Sequence, residues 1–175
     1  MSLNGKKIIV LVEDGFEDLE FWVPYMRLIE EGAKVTVAGK GQGRAVTSKS
    51  GGLTAEIEVD VGELSAAEFD GVVVPGGWAP DKLRRYDEVK KLLADLDAAG
   101  KTVAMICHAG LVGISAGIVS GHKATGSLGI KDDLENAGAT WVDKSAFRDG
   151  NQVWGRVVKD IPNFCRELIA ALGEA

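Results

Sequence analysis

The chain has 175 residues, 46% of them hydrophobic and 26% charged, with a formal net charge of −6. That size and balance fit one soluble domain over residues 1–175, and no basic cluster offers a nucleic-acid surface, since Lys6-Lys7 and Lys90-Lys91 read as solvated rims. No apolar run reaches bilayer length and MSLNGKK has no apolar core after its basic residues, so no membrane partner is expected and the cytoplasm is the expected home.

Residues 6–13, KKIIVLVE, form an apolar run rich in Ile and Val that reads as a strand buried on both faces. After Gly15, the residues Phe16, Leu19, Trp22, Val23, Met26 and Leu28 or Ile29 recur at helical spacing up to a stop at Gly32, with Pro24 expected to kink or adjust the helix. AKVTVAG is a second strand, and RAVTSKSGGLTAEIEV reads as strands or a hairpin outside the main parallel set. FDGVVVPGG repeats the pattern of a buried strand ending on a glycine turn, and a helix runs from Pro80 through Leu92, Leu93 and Leu96 to Gly100. KTVAMI is a further strand, followed after Cys107-His108 by the apolar helical run LVGISAGIV. GIKDDLENAG predicts a short acidic helix, TWVD a strand, FRDGNQVW a hairpin turning at Asp149-Gly150, and DIPNFCRELIAALG a closing amphipathic helix. Strands and helices alternating at these lengths predict an α/β fold, a central mostly parallel sheet with helices on both faces.

Ligands of such sheets sit beyond the carboxyl ends of the strands. Three ends carry chemistry here: EDGFEDLE, PGGWAPD and CHAG. Cys107 stands where a strand hands over to a helix, the position in which a nucleophile is held in a strained turn with its side chain lifted into the cleft. A helix N-terminus beside it is expected to lower the thiol pKa. The alternative is a buried cysteine that acts as a small hydrophobe. His108 serves as base or acid if the turn brings its ring back beside the sulfur, and otherwise packs locally. His122 reads as an exposed loop residue, and Cys165 falls with Phe164 and Leu168 in the last helix, where it is expected to be buried and inert.

Gly76 and Gly77 permit a close backbone approach and are candidate oxyanion donors, although a tight turn uses the same residues for steric reasons alone. Of the acids Glu13, Asp14, Glu17, Asp18 and Glu20, most are expected to complement the helix dipole, while one pointing into the cleft would have a raised pKa and could carry a proton. Two cysteines and two histidines with no CxxC pair or His cluster cannot build a zinc site, and no cofactor is expected.

The segments FEDLE, VVPGGWAPD, ICHAG, GIKDDLENAGATWVD and RDGNQV, in this order and spacing from about Lys6 to Leu172, resemble the ThiJ/PfpI family of intracellular cysteine peptidases, within the class I glutamine-amidotransferase-like superfamily. The resemblance implies a three-layer flavodoxin-like sandwich and Cys107 as nucleophile with His108 as its base. It also implies Glu17 as the carboxyl approaching the sulfur and a third acid supplied by a neighbouring subunit of a homo-oligomer. That acid falls on Asp81, where the family usually has glutamate. Trp78 is bulkier than the residues often found at its position, and Trp154, Gly155 and Val158 depart from the family pattern around Arg156, which keeps its place as a residue of the cleft.

Three functions follow. The first is hydrolysis of peptide or amide bonds in stress or quality control, the second glyoxalase or deglycase chemistry on methylglyoxal or its adducts. The third is a redox-sensing thiol without turnover. The substrate is accordingly a small carbonyl compound or a peptide.

Overall fold

The fold is seen in a computed structural model that describes residues 2–174. β1 (Lys7–Leu11) leads through a tight loop into α1 (Asp18–Glu30), and β2 (Lys34–Gly39) returns alongside β1. β3 (Ala45–Thr47) and β4 (Thr54–Glu56) pair antiparallel as a separate hairpin, and β5 (Val59–Asp60) joins the edge next to β2. β6 (Gly71–Val74) precedes α2 (Ala79–Leu83) and α3 (Asp87–Ala98), and β7 (Thr102–Ile106) precedes α4 (Gly110–Ala116). β8 (Lys123–Ala124), α5 (Lys131–Asn136) and β9 (Thr140–Trp141) follow, then β10 (Ala146–Asp149), β11 (Gln152–Gly155) and α6 (Ile161–Glu174).

The seven-stranded sheet has the order β10-β11-β7-β6-β1-β2-β5, parallel throughout except for β10 against β11. Its middle strands are apolar because both faces are covered: α1 and α6 pack on one side, α3 and α4 on the other, and every residue of β6 and β7 is buried. The α/β sandwich with a mostly parallel central sheet is therefore the architecture observed, and the 45–56 hairpin lies outside the main sheet as expected.

Some expectations are corrected. The helix predicted from Pro80 to Gly100 is broken into α2 and α3, whereas the TWVD strand is present as β9, paired with β8 in a small sheet of its own. The run after Cys107 stops early, because Gly117 takes up a left-handed φ of 76° and closes α4. α1 buries Glu20, Phe21, Pro24 and Leu28, while Leu19, Met26 and Ile29 face outward. No helix among the described residues is long and apolar enough to cross a membrane.

Candidate functional site

β1, β6 and β7 are neighbours in the sheet, so their carboxyl ends deliver three loops to one place. At the end of β7, Cys107 adopts φ 62°, and it is the one non-glycine residue with positive φ among the described residues. An L residue in the left-handed region costs of order 1–3 kcal/mol, and such strain persists only where the surroundings enforce it. The short 3₁₀ turn Cys107–Ala109 then leads into α4. This turn folds the His108 ring back so that Nδ1 lies 3.3 Å from Cys107 Sγ. Both side chains are half-buried and reachable from solvent. Burial, reinforced by the charge of Lys49, lowers the His108 pKa, which keeps its imidazole neutral near pH 7.

The carboxyl at the sulfur belongs to Glu20, which corrects the assignment of that role to Glu17. Glu17 is the N-cap of α1, where its Oε2 accepts the N–H groups of Leu19 and Glu20 at 2.9 Å each. Glu20 lies one turn further on the inward face of the helix, fully buried, with Oε2 accepting the Gly76 N–H at 2.9 Å. Its Oε1 makes no hydrogen bond among the described residues. Burial, together with the charge of Glu17, pushes Glu20 up to about 7.

Glycine is required at position 76 by space alone: a Cβ there would lie 2.5 Å from Glu20 Oε2 and 2.7 Å from Cys107 Cβ. The same geometry corrects its part in an oxyanion hole, since its N–H is already committed to Glu20. The donors that face the sulfur are the backbone N–H groups of His108 and Gly77. Gly77 needs its left-handed φ of 79° to turn that way, and Phe16 pairs with it in an isolated bridge.

The expected lowering of the thiol pKa is not found. Burial first and the Glu20 carboxylate second push the Cys107 thiol up to about 12, against the smaller pull of the two N–H donors. Thiol and carboxyl resist holding two negative charges in one buried space, so between about 7 and 12 the pair keeps one proton. The order of the two values keeps that proton mainly on the sulfur; when it passes to Glu20, the sulfur becomes a thiolate facing two N–H donors. The reactive anion thus depends on the shared proton and not on a helix dipole.

A cation that sequence reasoning passed over stands at the rim. The β3–β4 hairpin is fastened to the β1–α1 loop: Lys49 N–H donates to Phe16 O at 2.7 Å, Gly15 N–H to Thr47 O at 2.8 Å, and Ser48 Oγ to Asp18 at 2.7 Å. Arg44, ahead of the hairpin, pairs with buried Glu13 at 2.6 Å and with Asp14 at 2.9 Å. The Lys49 ammonium comes to rest 5.8 Å from the centroid of the exposed Trp78 ring. Nothing in the spacing of TSKSGG signals this placement, which comes from long-range hydrogen bonds.

The remaining predicted residues lie apart. Asp81 is exposed on α2 and ion-paired with Arg85. Arg156 is held by Asp143 and Asp160 and lines a cavity with Gly126, Leu128, Val157 and Lys159. His122 is half-buried, not exposed, and bonds Asp149 at 2.9 Å through Nδ1. Cys165 is buried in α6, and burial pushes its thiol up to about 11. No cluster of three or more metal-ligating side chains occurs among the described residues.

The sequence model of the DJ-1/PfpI family matches residues 6–171. A deglycase of Pyrococcus abyssi is 40% identical over 166 residues, covering 95% of this chain and 99% of that protein. Protein/nucleic acid deglycase 2 of Escherichia coli is 37% identical over 170 residues, covering 97% and 99%. Among solved structures, a two-domain protein of Anabaena variabilis with DJ-1/ThiJ/PfpI-like and ferritin-like domains superposes with a TM-score of 0.94 at 36% identity. That match covers 96% of this chain and 48% of the larger one.

Proposed function

Given that this chain belongs to the DJ-1/PfpI family, we propose that it is a cysteine-dependent hydrolase that releases amines from their adducts with small α-oxo aldehydes, the product being a 2-hydroxy acid. Deglycation of this kind is itself a hydrolysis through a cysteine thioester, so the peptidase-type machinery and the deglycase reading share one nucleophile. The observation that carries the substrate choice is the buried Glu20 carboxyl at Cys107. An amide hydrolase needs a nucleophile, a base and oxyanion donors. Glu20 can take the thiol's proton in either reaction, but a carboxylate against the sulfur has a further use where a proton must move between carbons.

For an amine–methylglyoxal adduct the steps balance as follows. Cys107 passes its proton to Glu20 and attacks the carbinol carbon as thiolate, the C–N bond breaks, and the amine leaves with the Glu20 proton relayed by His108, giving a hemithioacetal and Glu20 carboxylate. Glu20 carboxylate removes the proton on that carbon and returns it to the neighbouring carbonyl carbon while the hydroxyl proton passes to the neighbouring carbonyl oxygen, so the first carbon is oxidised and the second reduced with no external redox partner. Water then cleaves the resulting thioester, with His108 accepting its proton and the Gly77 and His108 N–H groups facing the oxyanion. The net reaction adds one water and yields free amine and lactate.

Asp81 has its part in a homo-oligomer. Among the described residues no carboxylate bonds the His108 ring, and an exposed acid on α2 is available to an adjacent subunit, where it would orient the imidazole. The cytoplasm, where amines and carbonyl metabolites meet, suits this role. The test is incubation with methylglyoxal-treated N-acetyl-lysine and, in parallel, with fluorogenic peptides. Lactate and free amine should appear with the wild type and fall to background with Cys107→Ala. Equal lactate from both, or product only from peptides, would overturn the reading.

A further inference from the structure

The rim of the site pairs two side chains that the reaction above does not use. Lys49 and Trp78 come from different loops, the β3–β4 hairpin and the turn after β6, and meet with the ammonium 5.8 Å from the ring centroid. Both are solvent-exposed. Trp78 follows Gly77, whose N–H faces the Cys107 sulfur, and Lys49 is tied by its own N–H to Phe16, the residue bridged to Gly77. The backbone that carries the ammonium is therefore fixed at the rim, and the side chain rests against the Trp78 ring. It makes no ion pair among the described residues, whereas Arg44 on the same hairpin is spent on Glu13 and Asp14. Its field reaches the site, since its charge acts on both Glu20 and His108.

We infer that Lys49, steadied over Trp78, is a specificity-determining residue that selects adducts bearing a carboxylate close to the reacting carbon on the amine side, as when the amine released is that of an amino acid. The inference rests on the reading of Cys107 as the attacking thiol and deepens it by naming the substrate charge. One ammonium against one neutral ring matches a monoanion; a phosphate dianion calls for more donors than the rim supplies. The indole face holds the ammonium without neutralising it, so the charge stays available to a ligand. The chain as a whole is acidic, at a net charge of −6. The net charge thus opposes an anion while the ammonium attracts it at this rim, which makes the local effect separable from the global one.

The experiment measures alkylation of Cys107 by iodoacetate and by iodoacetamide, two electrophiles of similar size that differ in charge, with the modified site read by peptide mass spectrometry. The ratio of the two rates should fall about fivefold to tenfold in Lys49→Met and in Lys49→Gln, and should be retained in Lys49→Arg. Two neutral variants guard against one that folds badly, with circular dichroism confirming each. An unchanged ratio in the neutral variants would overturn the inference while leaving the nucleophile in place. No reaction of Cys107 with either reagent would bring down both.

Discussion

At the scale of single residues the site turns on one proton shared by Cys107 and Glu20. Below about pH 7 the pair holds both its protons; as pH rises through about 7 Glu20 ionises, and only then can the sulfur pass its proton to the carboxylate to give the reactive thiolate. Alkylation of wild-type Cys107 should therefore rise through an apparent pKa near 7 and then level off, well below the range of the thiol alone. Glu20→Gln should abolish that inflection, moving the rise to higher pH and slowing the reaction at pH 7 by about tenfold or more. A profile unaltered by the substitution would show that Glu20 carries no proton for the sulfur. The same carboxyl has a stability signature. A group raised in the folded state from 4.5 to about 7 contributes fully below 4.5 and loses its contribution as pH rises through about 7. Glu20→Gln, which cannot ionise, should gain on the wild type across that window, by up to about 3 kcal/mol at pH 8, and show little advantage at pH 4; denaturant melts at the two pH values measure it. The sequence contained a signal for this residue. Glu20 falls in phase with Pro24 and Leu28 on the buried face of α1, whereas Glu17 precedes the helix. An acid on an apolar stripe is the more informative one.

At the scale of elements, the site is made by the close approach of α1, the β6 turn and the β7 turn, and Gly76 is the point where they touch. Gly76→Ala would drive a methyl group between Glu20 Oε2 and Cys107 Cβ, in a space with no flexible neighbour on the backbone side. The expected outcome is loss of Cys107 alkylation by about a hundredfold, with destabilisation of about 1–3 kcal/mol from overpacking. A folded variant with wild-type reactivity would show that the three elements have slack. Strands and long helices at this scale were legible because apolar runs and turn residues are local signals: β1, β6, β7 and α6 all stand where the pattern places them. The shortness of α4 and the break between α2 and α3 were not. An apolar sequence such as LVGISAGIV continues past the glycine that ends the helix, because Ile118 and Val119 remain buried outside it. The seat of Lys49 was hidden for a related reason, since hydrogen bonds to Phe16 and Asp18 join segments about 30 residues apart.

At the scale of the whole molecule, the described residues of the single chain leave the His108 imidazole without an acid. His122, away from the site, has Asp149 on its ring at 2.9 Å, which shows what a His–Asp pair looks like in this protein; His108 has the Cys107 sulfur on one nitrogen and no carboxylate on the other. Asp81 in turn pairs, among the described residues, with Arg85 on the exposed side of α2, a surface pair of little energetic weight that another contact can replace. If a neighbouring subunit brings Asp81 to His108, the site is complete only in the oligomer. Specific activity should then fall on dilution in step with dissociation measured by light scattering or sedimentation. Asp81→Ala should lower kcat by about tenfold while leaving the association curve unchanged, because the acid orients the imidazole and does not hold the subunits together. Asp81→Glu, which restores the longer acid, should keep most of the rate. Specific activity that stays constant through dissociation, together with a wild-type kcat in Asp81→Ala, would show that His108 works unaided and that each chain carries its whole site.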